Sequence, residues 1–309
     1  MRRTLLVLAL FGSSAGVCLA QQADKPEAPR KPAPTAADVA YGKHERQVLD
    51  FWQAKSEKAT PLVVFIHGGG WQNGDKKGIG GKTVQQFLDA GISVAAINYR
   101  YVKQAAAEGI KPPVKAPLED AARAVQFIRS KAKEWNLDKQ RIGATGGSAG
   151  ACSSLWLALH DDMADPKSDD PVARESTRLF CAAVNGAQTS LDPKELREWM
   201  PNYRYGAHAF GLKDFQELFD KRADVLEWIK MYSPIEHVSK DDPPICMFYG
   251  GEKAVKGDSP KDPTHSALLG MMLEEKLKAA GVEVILVCPG RTDPKYPDTT
   301  AFLIDRLKK

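Results

Sequence analysis

The chain is short of several things, and each shortage removes a class of function. Only five cysteines occur in 309 residues. None has zinc-ligand spacing, and too few exist for a disulfide scaffold. Cys152, Cys181, Cys246 and Cys288 follow a glycine-rich turn or lie in apolar runs, so they read as buried free thiols. Net charge is low: formally +4, falling to about +2 without the first twenty residues, which carry two arginines and no acid. No basic patch is interleaved with aromatics, so nothing marks a nucleic-acid partner or an anionic membrane. No apolar run in the body of the chain is long enough to span a bilayer. Histidine is scarce, with six in all and none after His265. No internal repeat is visible.

The first twenty residues, MRRTLLVLALFGSSAGVCLA, stand apart. Arg2 and Arg3 form a positive start, Leu5 to Phe11 a short apolar core, and Cys18 and Ala20 small residues before a cleavage point. They read as a secretory signal, which places the mature protein outside the cell or in the periplasm. A membrane anchor and lipid attachment at Cys18 are the alternatives. Residues 21–40 are rich in Pro, Ala and charge and read as a flexible tether.

Residues 41–309 alternate between strand-like and helix-like segments. PLVVFIHGGGW, ISVAAINYRY, RIGATG, LFCAAVNGA, PPICMFYGG and VEVILVCPG read as buried strands. KTVQQFLDAG, the long amphipathic PLEDAARAVQFIRSKAKEW and two C-terminal segments read as helices, with Pro117 and first-turn acids opening the long one. The alternation specifies an α/β fold with a mostly parallel sheet covered on both faces. Residues 187–243 break the rhythm and read as a cap inserted over the carboxyl edge of the sheet, where ligands bind.

Two motifs carry chemistry. Gly146-x-Ser148-x-Gly150, between a strand and a helix, has the form of a nucleophile elbow. His67-Gly68-Gly69-Gly70-Trp71 ends an earlier strand, and its glycines leave backbone N–H groups free to face a developing oxyanion. Gly69, Gly70 and Ala149 are the expected donors. Together the motifs make Ser148 a candidate for acyl transfer.

HGGGW, then NGDK, NYR and GGSAGA, resembles the alpha/beta-hydrolase superfamily, in its lipase- and esterase-like branch with bacterial acetylxylan and feruloyl esterases. The resemblance implies an alpha/beta-hydrolase fold and hydrolysis of carboxylic esters, small or carbohydrate-borne, through a Ser-Asp-His triad without a cofactor. It also implies where the partners of the serine belong: the acid after ICMFYG and the histidine after VILVCPG.

Both places depart from that pattern. YGGEK puts Tyr249 and Lys253 where a histidine and the acid are expected, and PGRTD puts Asp293 where the base is expected. His67 reads as a support for the glycine loop. His208 and His237 in the cap, and His265 at a helix start, remain candidates for the base, as does Asp293 with a raised pKa. Asp258, Asp262 and Glu252 remain candidates for the acid. His160, twelve residues into the helix after Ser148, is too far along the axis, and His44 has no case. Two functions therefore stay open, a serine ester hydrolase and a binding protein that keeps only the scaffold. HDDMADPKSDDP concentrates five aspartates but lacks calcium-loop spacing and reads as a solvated loop, so no metal is expected.

Overall fold

A computed structural model describes residues 31–309. The signal segment and the first part of the tether lie outside the described residues. The rest of the tether is not loose. Ala36–Ala40 form strand β1, which pairs antiparallel with β2 (Val48–Trp52). Residues 31–40 are held further by the Trp52 Nε1–H, which donates to the Pro32 carbonyl at 2.8 Å, and by Thr35 Oγ1, which accepts the Gln53 N–H. Proline and alanine content suggested a tether, but an edge strand needs only a partner's free backbone groups.

The remaining strands are β3 (Thr60–Ile66), β4 (Ser93–Ile97), β5 (Leu137–Gly147), β6 (Cys181–Asn185), β7 (Ile245–Phe248) and β8 (Val284–Val287). They form one eight-stranded sheet in the order β1-β2-β4-β3-β5-β6-β7-β8. β2 runs antiparallel to β4, and every pair from β4 through β8 is parallel. This is the mostly parallel, doubly covered sheet that the alternating pattern required.

The helices are α1 (Gly81–Asp89), α2 (Val102–Ala107), α3 (Lys115–Ser130), α4 (Ala149–Leu159), α5 (Pro193–Trp199), α6 (Phe215–Asp220), α7 (Leu226–Tyr232), α8 (Ala267–Ala279) and α9 (Thr299–Leu307). None of them is long and apolar enough to cross a membrane. Residues from α3, α4 and α8 share one core with Leu62, Val64, Ala144 and Val184. Residues from α1 and α9 share a second core on the opposite face with Val63, Cys181, Ala183 and Cys246. The alternation of strand side chains divides the two cores. All four cysteines of this region are buried and free.

Helix α3 begins at Lys115, two residues before Pro117. Its acids therefore miss the first turn. Asp120 instead lies buried and takes the Arg100 guanidinium, with Nη2 at 2.7 Å, and the Gln47 amide at 2.7 Å. The aspartate-rich segment is likewise used internally: Asp162 Oδ1 accepts the N–H groups of Ala164 and Thr177, and Asp170 pairs with Arg123.

Between β6 and β7 lie α5, α6, α7 and two short 3-10 turns. The segment packs onto α3, α4 and α8. The Val114 N–H donates to the Ala209 carbonyl, Trp156 Nε1–H to the Met231 carbonyl, and the Thr189 hydroxyl to the Leu269 carbonyl.

Candidate active site

Ser148 sits between β5 and α4 with φ 53° and ψ −122°, a conformation that side-chain-bearing residues rarely adopt. Such a residue costs roughly 1–3 kcal/mol, and the surroundings must hold it there. Two things do. The Ser148 N–H donates to the Asn185 carbonyl on β6 at 3.0 Å. The flanking glycines let β3 press against the turn, since a Cβ on Gly146 or Gly150 would collide with the Ile66 carbonyl oxygen. The side chain is left half-exposed at the carboxyl edge of the sheet.

The glycine loop after β3 is aimed by its carbonyls. In a trans peptide each N–H points away from the preceding C=O, so fixing a carbonyl fixes the next N–H. The Gly68 carbonyl is held by His67 Nδ1 at 2.8 Å and by the Tyr99 hydroxyl at 3.3 Å, which turns the Gly69 N–H outward. The Gly69 carbonyl accepts the N–H groups of Gln72 and Asn73, which aims the Gly70 N–H. The Ser148 carbonyl accepts the Cys152 N–H, which leaves the Ala149 N–H projecting from the start of α4. Among the described residues, no hydrogen bond takes up the N–H of Gly69, Gly70 or Ala149. Gly68 lets this loop approach the elbow: a Cβ there would stand 2.7 Å from the Gly147 carbonyl oxygen.

His67 is thus a support. Its ring stacks on Tyr99 with centroids 4.2 Å apart, and Arg46 Nη2 lies 3.4 Å from its Nε2. Burial, with the Arg46 charge beside it, pushes its pKa down to about 4. A neutral ring with its proton on Nδ1 donates to Gly68 and accepts from Arg46. Trp71 joins the two motifs, since its indole N–H donates to Ser153 Oγ on α4 at 3.0 Å. The segment between β6 and β7 reaches the same loop. His208 Nε2 lies 2.9 Å from the Gly70 carbonyl oxygen, and a Cβ on Gly70 would collide with the Tyr205 hydroxyl.

The partners of the serine come from one loop. His265 Nε2 stands 3.0 Å from Ser148 Oγ, and His265 Nδ1 stands 2.7 Å from Asp262 Oδ2. Both residues belong to the segment between β7 and α8, where Asp262 precedes the 3-10 turn Pro263–His265. The spacing of three along that turn puts carboxylate and ring side by side. Gly186, with φ 57°, approaches the imidazole edge, and a Cβ there would be 3.4 Å from its Cδ2. Glu252 closes the loop by accepting the Lys261 N–H at 2.6 Å. A cavity of about 360 Å³ opens beside the pair, lined by Gly250, Glu252, Lys261 and His265 among others.

The other candidates lie elsewhere in bonding terms. Asp293 accepts the N–H groups of Lys295 and Tyr296 in the loop after β8. His237 Nε2 meets the Met231 carbonyl at 2.7 Å, and its ring packs on His160. His208 is engaged at Gly70. Asp258 is exposed in the same loop as Asp262 without a bond to Ser148 or to any histidine. Tyr249 is a structural residue, donating to the Ala187 carbonyl at 2.8 Å and packing on Gly270. Of the candidates left open by the sequence, His265 and Asp262 are the ones brought to the serine. The loop after β8 supplies none, and the loop after β7 supplies both histidine and carboxylate.

With this arrangement in view, the comparisons with known proteins decide the family. The BD-FAE family model matches residues 49–259. The chain belongs to the BD-FAE family. In this BD-FAE protein the match ends just before Asp262 and His265. The probable carboxylic ester hydrolase LipM of Mycobacterium tuberculosis is 27% identical over 222 residues, 69% of this chain and 47% of that one. Esterase LipQ of the same organism is 24% identical over 229 residues, 72% of this chain and 49% of that one. The BD-FAE chain thus spans about half the length of these relatives. Among solved structures, a truncated carbohydrate esterase from gut microbiota superposes with a TM-score of 0.66 at 21% identity, covering 91% of this chain and 99% of that one. The native esterase 2 of Thermogutta terrifontis gives 0.61 at 24% identity, covering 84% and 82%. These likenesses establish the alpha/beta-hydrolase fold.

Proposed function

We propose that this protein is a serine carboxylic-ester hydrolase acting on small-molecule or carbohydrate esters. The observation that carries the reading is the chain Ser148 Oγ–His265 Nε2, 3.0 Å, and His265 Nδ1–Asp262 Oδ2, 2.7 Å. Relatives named as ester hydrolases support it. The binding-only alternative rested on the YGGEK and PGRTD loops, and with His265 beside Ser148 that ground is lost.

Neutral His265, protonated on Nδ1 and held there by Asp262, accepts the Ser148 proton at Nε2 as Oγ attacks the acyl carbon. The carbonyl oxygen gains the negative charge and is met by the N–H groups of Gly69, Gly70 and Ala149. The imidazolium returns its proton to the departing alcohol oxygen as the C–O bond breaks, leaving an acyl-serine. Water then attacks, giving its proton to Nε2, and Ser148 Oγ leaves with that proton, releasing the carboxylic acid. The first twenty residues support an exported site of action.

A fluorophosphonate probe tests the nucleophile. The wild-type protein is expected to label rapidly and to hydrolyse 4-nitrophenyl acetate, and Ser148→Ala to do neither. Wild-type protein that resists high probe concentrations would overturn the reading.

A further inference from the structure

Arg46 stands in the turn that joins β1 to β2, a hundred residues before Ser148 in the chain. The turn is closed by the Tyr41 N–H, which donates to the Gln47 carbonyl at 2.9 Å, and the Gln47 amide is anchored on buried Asp120. The Arg46 side chain is fixed in its turn. Its Nε–H donates to the Tyr99 carbonyl at 2.8 Å, and Cζ lies 3.7 Å from the centroid of the Tyr101 ring. These contacts bring Nη2 to 3.4 Å from His67 Nε2 and 3.4 Å from the Gly74 carbonyl oxygen. Gly74, with φ 102°, presses on the bond between His67 and Gly68. A Cβ there would stand 2.5 Å from His67 Nδ1 and 2.6 Å from the Gly68 carbonyl oxygen. The Tyr101 hydroxyl donates to the same Gly74 carbonyl. The NGDK segment, Asn73–Lys76, is thus clamped against the glycine loop.

The guanidinium decides where the His67 proton sits. A neutral imidazole carries one N–H, on either nitrogen, and the partner of one nitrogen fixes the other. Arginine has donors alone and stays charged, so the nitrogen it faces must hold the lone pair. The proton is then on Nδ1 and donates to the Gly68 carbonyl at 2.8 Å. The other tautomer would set two lone pairs against each other there, and an N–H against the guanidinium. An imidazolium would set two cations together. The groups that face the ring are Arg46, the Gly68 carbonyl, Tyr99, Tyr101 and the carboxylate of Asp75. Asp75 is itself engaged by the Lys77 N–H and the Asn98 amide. Holding the Gly68 carbonyl turns the Gly69 N–H the opposite way, outward from the loop.

We propose that Arg46 is a positioning residue for ester hydrolysis: by facing His67 with donors alone, it keeps the ring proton on Nδ1 and so holds the Gly69 N–H toward the oxyanion. The inference rests on Ser148 being the nucleophile, and its test reads the ring and the reaction separately. Imidazole nitrogen-15 shifts of His67 at pH 7.5 are expected to show the proton on Nδ1 in Ser148→Ala. They are expected to show the same in Ser148→Ala/Arg46→Lys, where the ammonium also has donors alone, and mixed tautomers in Ser148→Ala/Arg46→Met. With Ser148 in place, Arg46→Met is expected to lose about 10- to 100-fold in kcat on 4-nitrophenyl acetate, as for an oxyanion donor misaimed rather than removed. KM should stay within about twofold, and Arg46→Lys should recover most of the rate. A proton on Nε2 in Ser148→Ala overturns the proposal without any Arg46 variant. So does an unshifted tautomer in the Arg46→Met background, an unchanged kcat, or an equal loss in Arg46→Met and Arg46→Lys. A wild type that hydrolyses no ester defeats the hydrolase reading instead, and the tautomer then decides by itself whether Arg46 holds His67.

Discussion

His265 meets Ser148 from the loop that follows β7, with Nε2 3.0 Å from Oγ, and its acid stands three residues earlier in the same loop. One short turn therefore supplies both partners of the serine, and anything that moves the loop moves them together. The Asp262 side chain is 64% exposed, unlike a carboxylate sealed under its histidine. An exposed charge is screened by water and salt. Asp262→Asn is accordingly expected to cost about 10- to 100-fold in kcat, well short of the roughly 10⁴-fold lost where a buried triad aspartate is replaced. The wild-type rate is expected to fall modestly between low and high salt, and the variant rate to stay level. Equal salt responses in steady-state assays would remove the electrostatic role.

Trp71 ties the glycine loop to α4 through Ser153, so it sets the distance between oxyanion donors and nucleophile. Trp71→Phe keeps most of the buried surface and loses the bond. Ser153 Oγ loses an accepted bond but still donates to the Ala149 carbonyl at 2.9 Å, so unfolding stability should fall by only about 1 kcal/mol. The expected kinetic signature is a fall in kcat with little change in KM, because the hole acts on the transition state.

His67 makes stability depend on pH. Its folded pKa of about 4 lies below the ordinary histidine value, so the unfolded chain binds the proton first as pH falls. Its contribution is complete above about pH 6.5 and shrinks as pH drops toward 4, by about 3 kcal/mol in all. His208 and His237, also lowered by burial, act in the same direction. Urea midpoints at pH 7, 5.5 and 4.5 should therefore fall less steeply for His67→Gln than for the wild type. Parallel slopes would show that His67 does not carry the effect.

Lys76 pins the edge of the sheet. Buried at 2% exposure, its Nζ lies 2.6 Å from Asp50 on β2 and 2.9 Å from Asp38 on β1. Lys76→Met strands the buried Asp50 charge and should cost about 3–5 kcal/mol. Adding Asp50→Asn removes that charge and keeps an acceptor for the Asp38 N–H, so the double variant should recover much of the loss. Denaturant unfolding of both variants checks this.

The sheet and the elbow were legible because they follow local rules. Apolar runs ending in glycine give parallel strands, and Gly-x-Ser-x-Gly survives only where backbones crowd. The glycine loop was legible for the same reason. β1 was not, because an alanine-rich edge strand that follows a proline-rich stretch owes its form to the neighbouring β2. Helix α2, in the segment VKQAAA, is six residues long and carries no distinctive pattern. The histidine was the hardest part. His265 was one of several candidates, and nothing in composition says which loop folds back over Ser148. A local signal did exist in Asp262-Pro-Thr-His265. An aspartate before a proline-started turn, with histidine three on, places a carboxylate against an imidazole whatever the turn faces.

The most direct test compares rates of 4-nitrophenyl acetate hydrolysis by wild type, His265→Ala and Asp293→Ala at pH 7.5. We expect His265→Ala to lose at least about 10³-fold in kcat and Asp293→Ala to stay within about twofold, since only the former removes the general base. A His265→Ala enzyme that keeps its rate while Asp293→Ala loses it would contradict the account and return the base to the loop after β8.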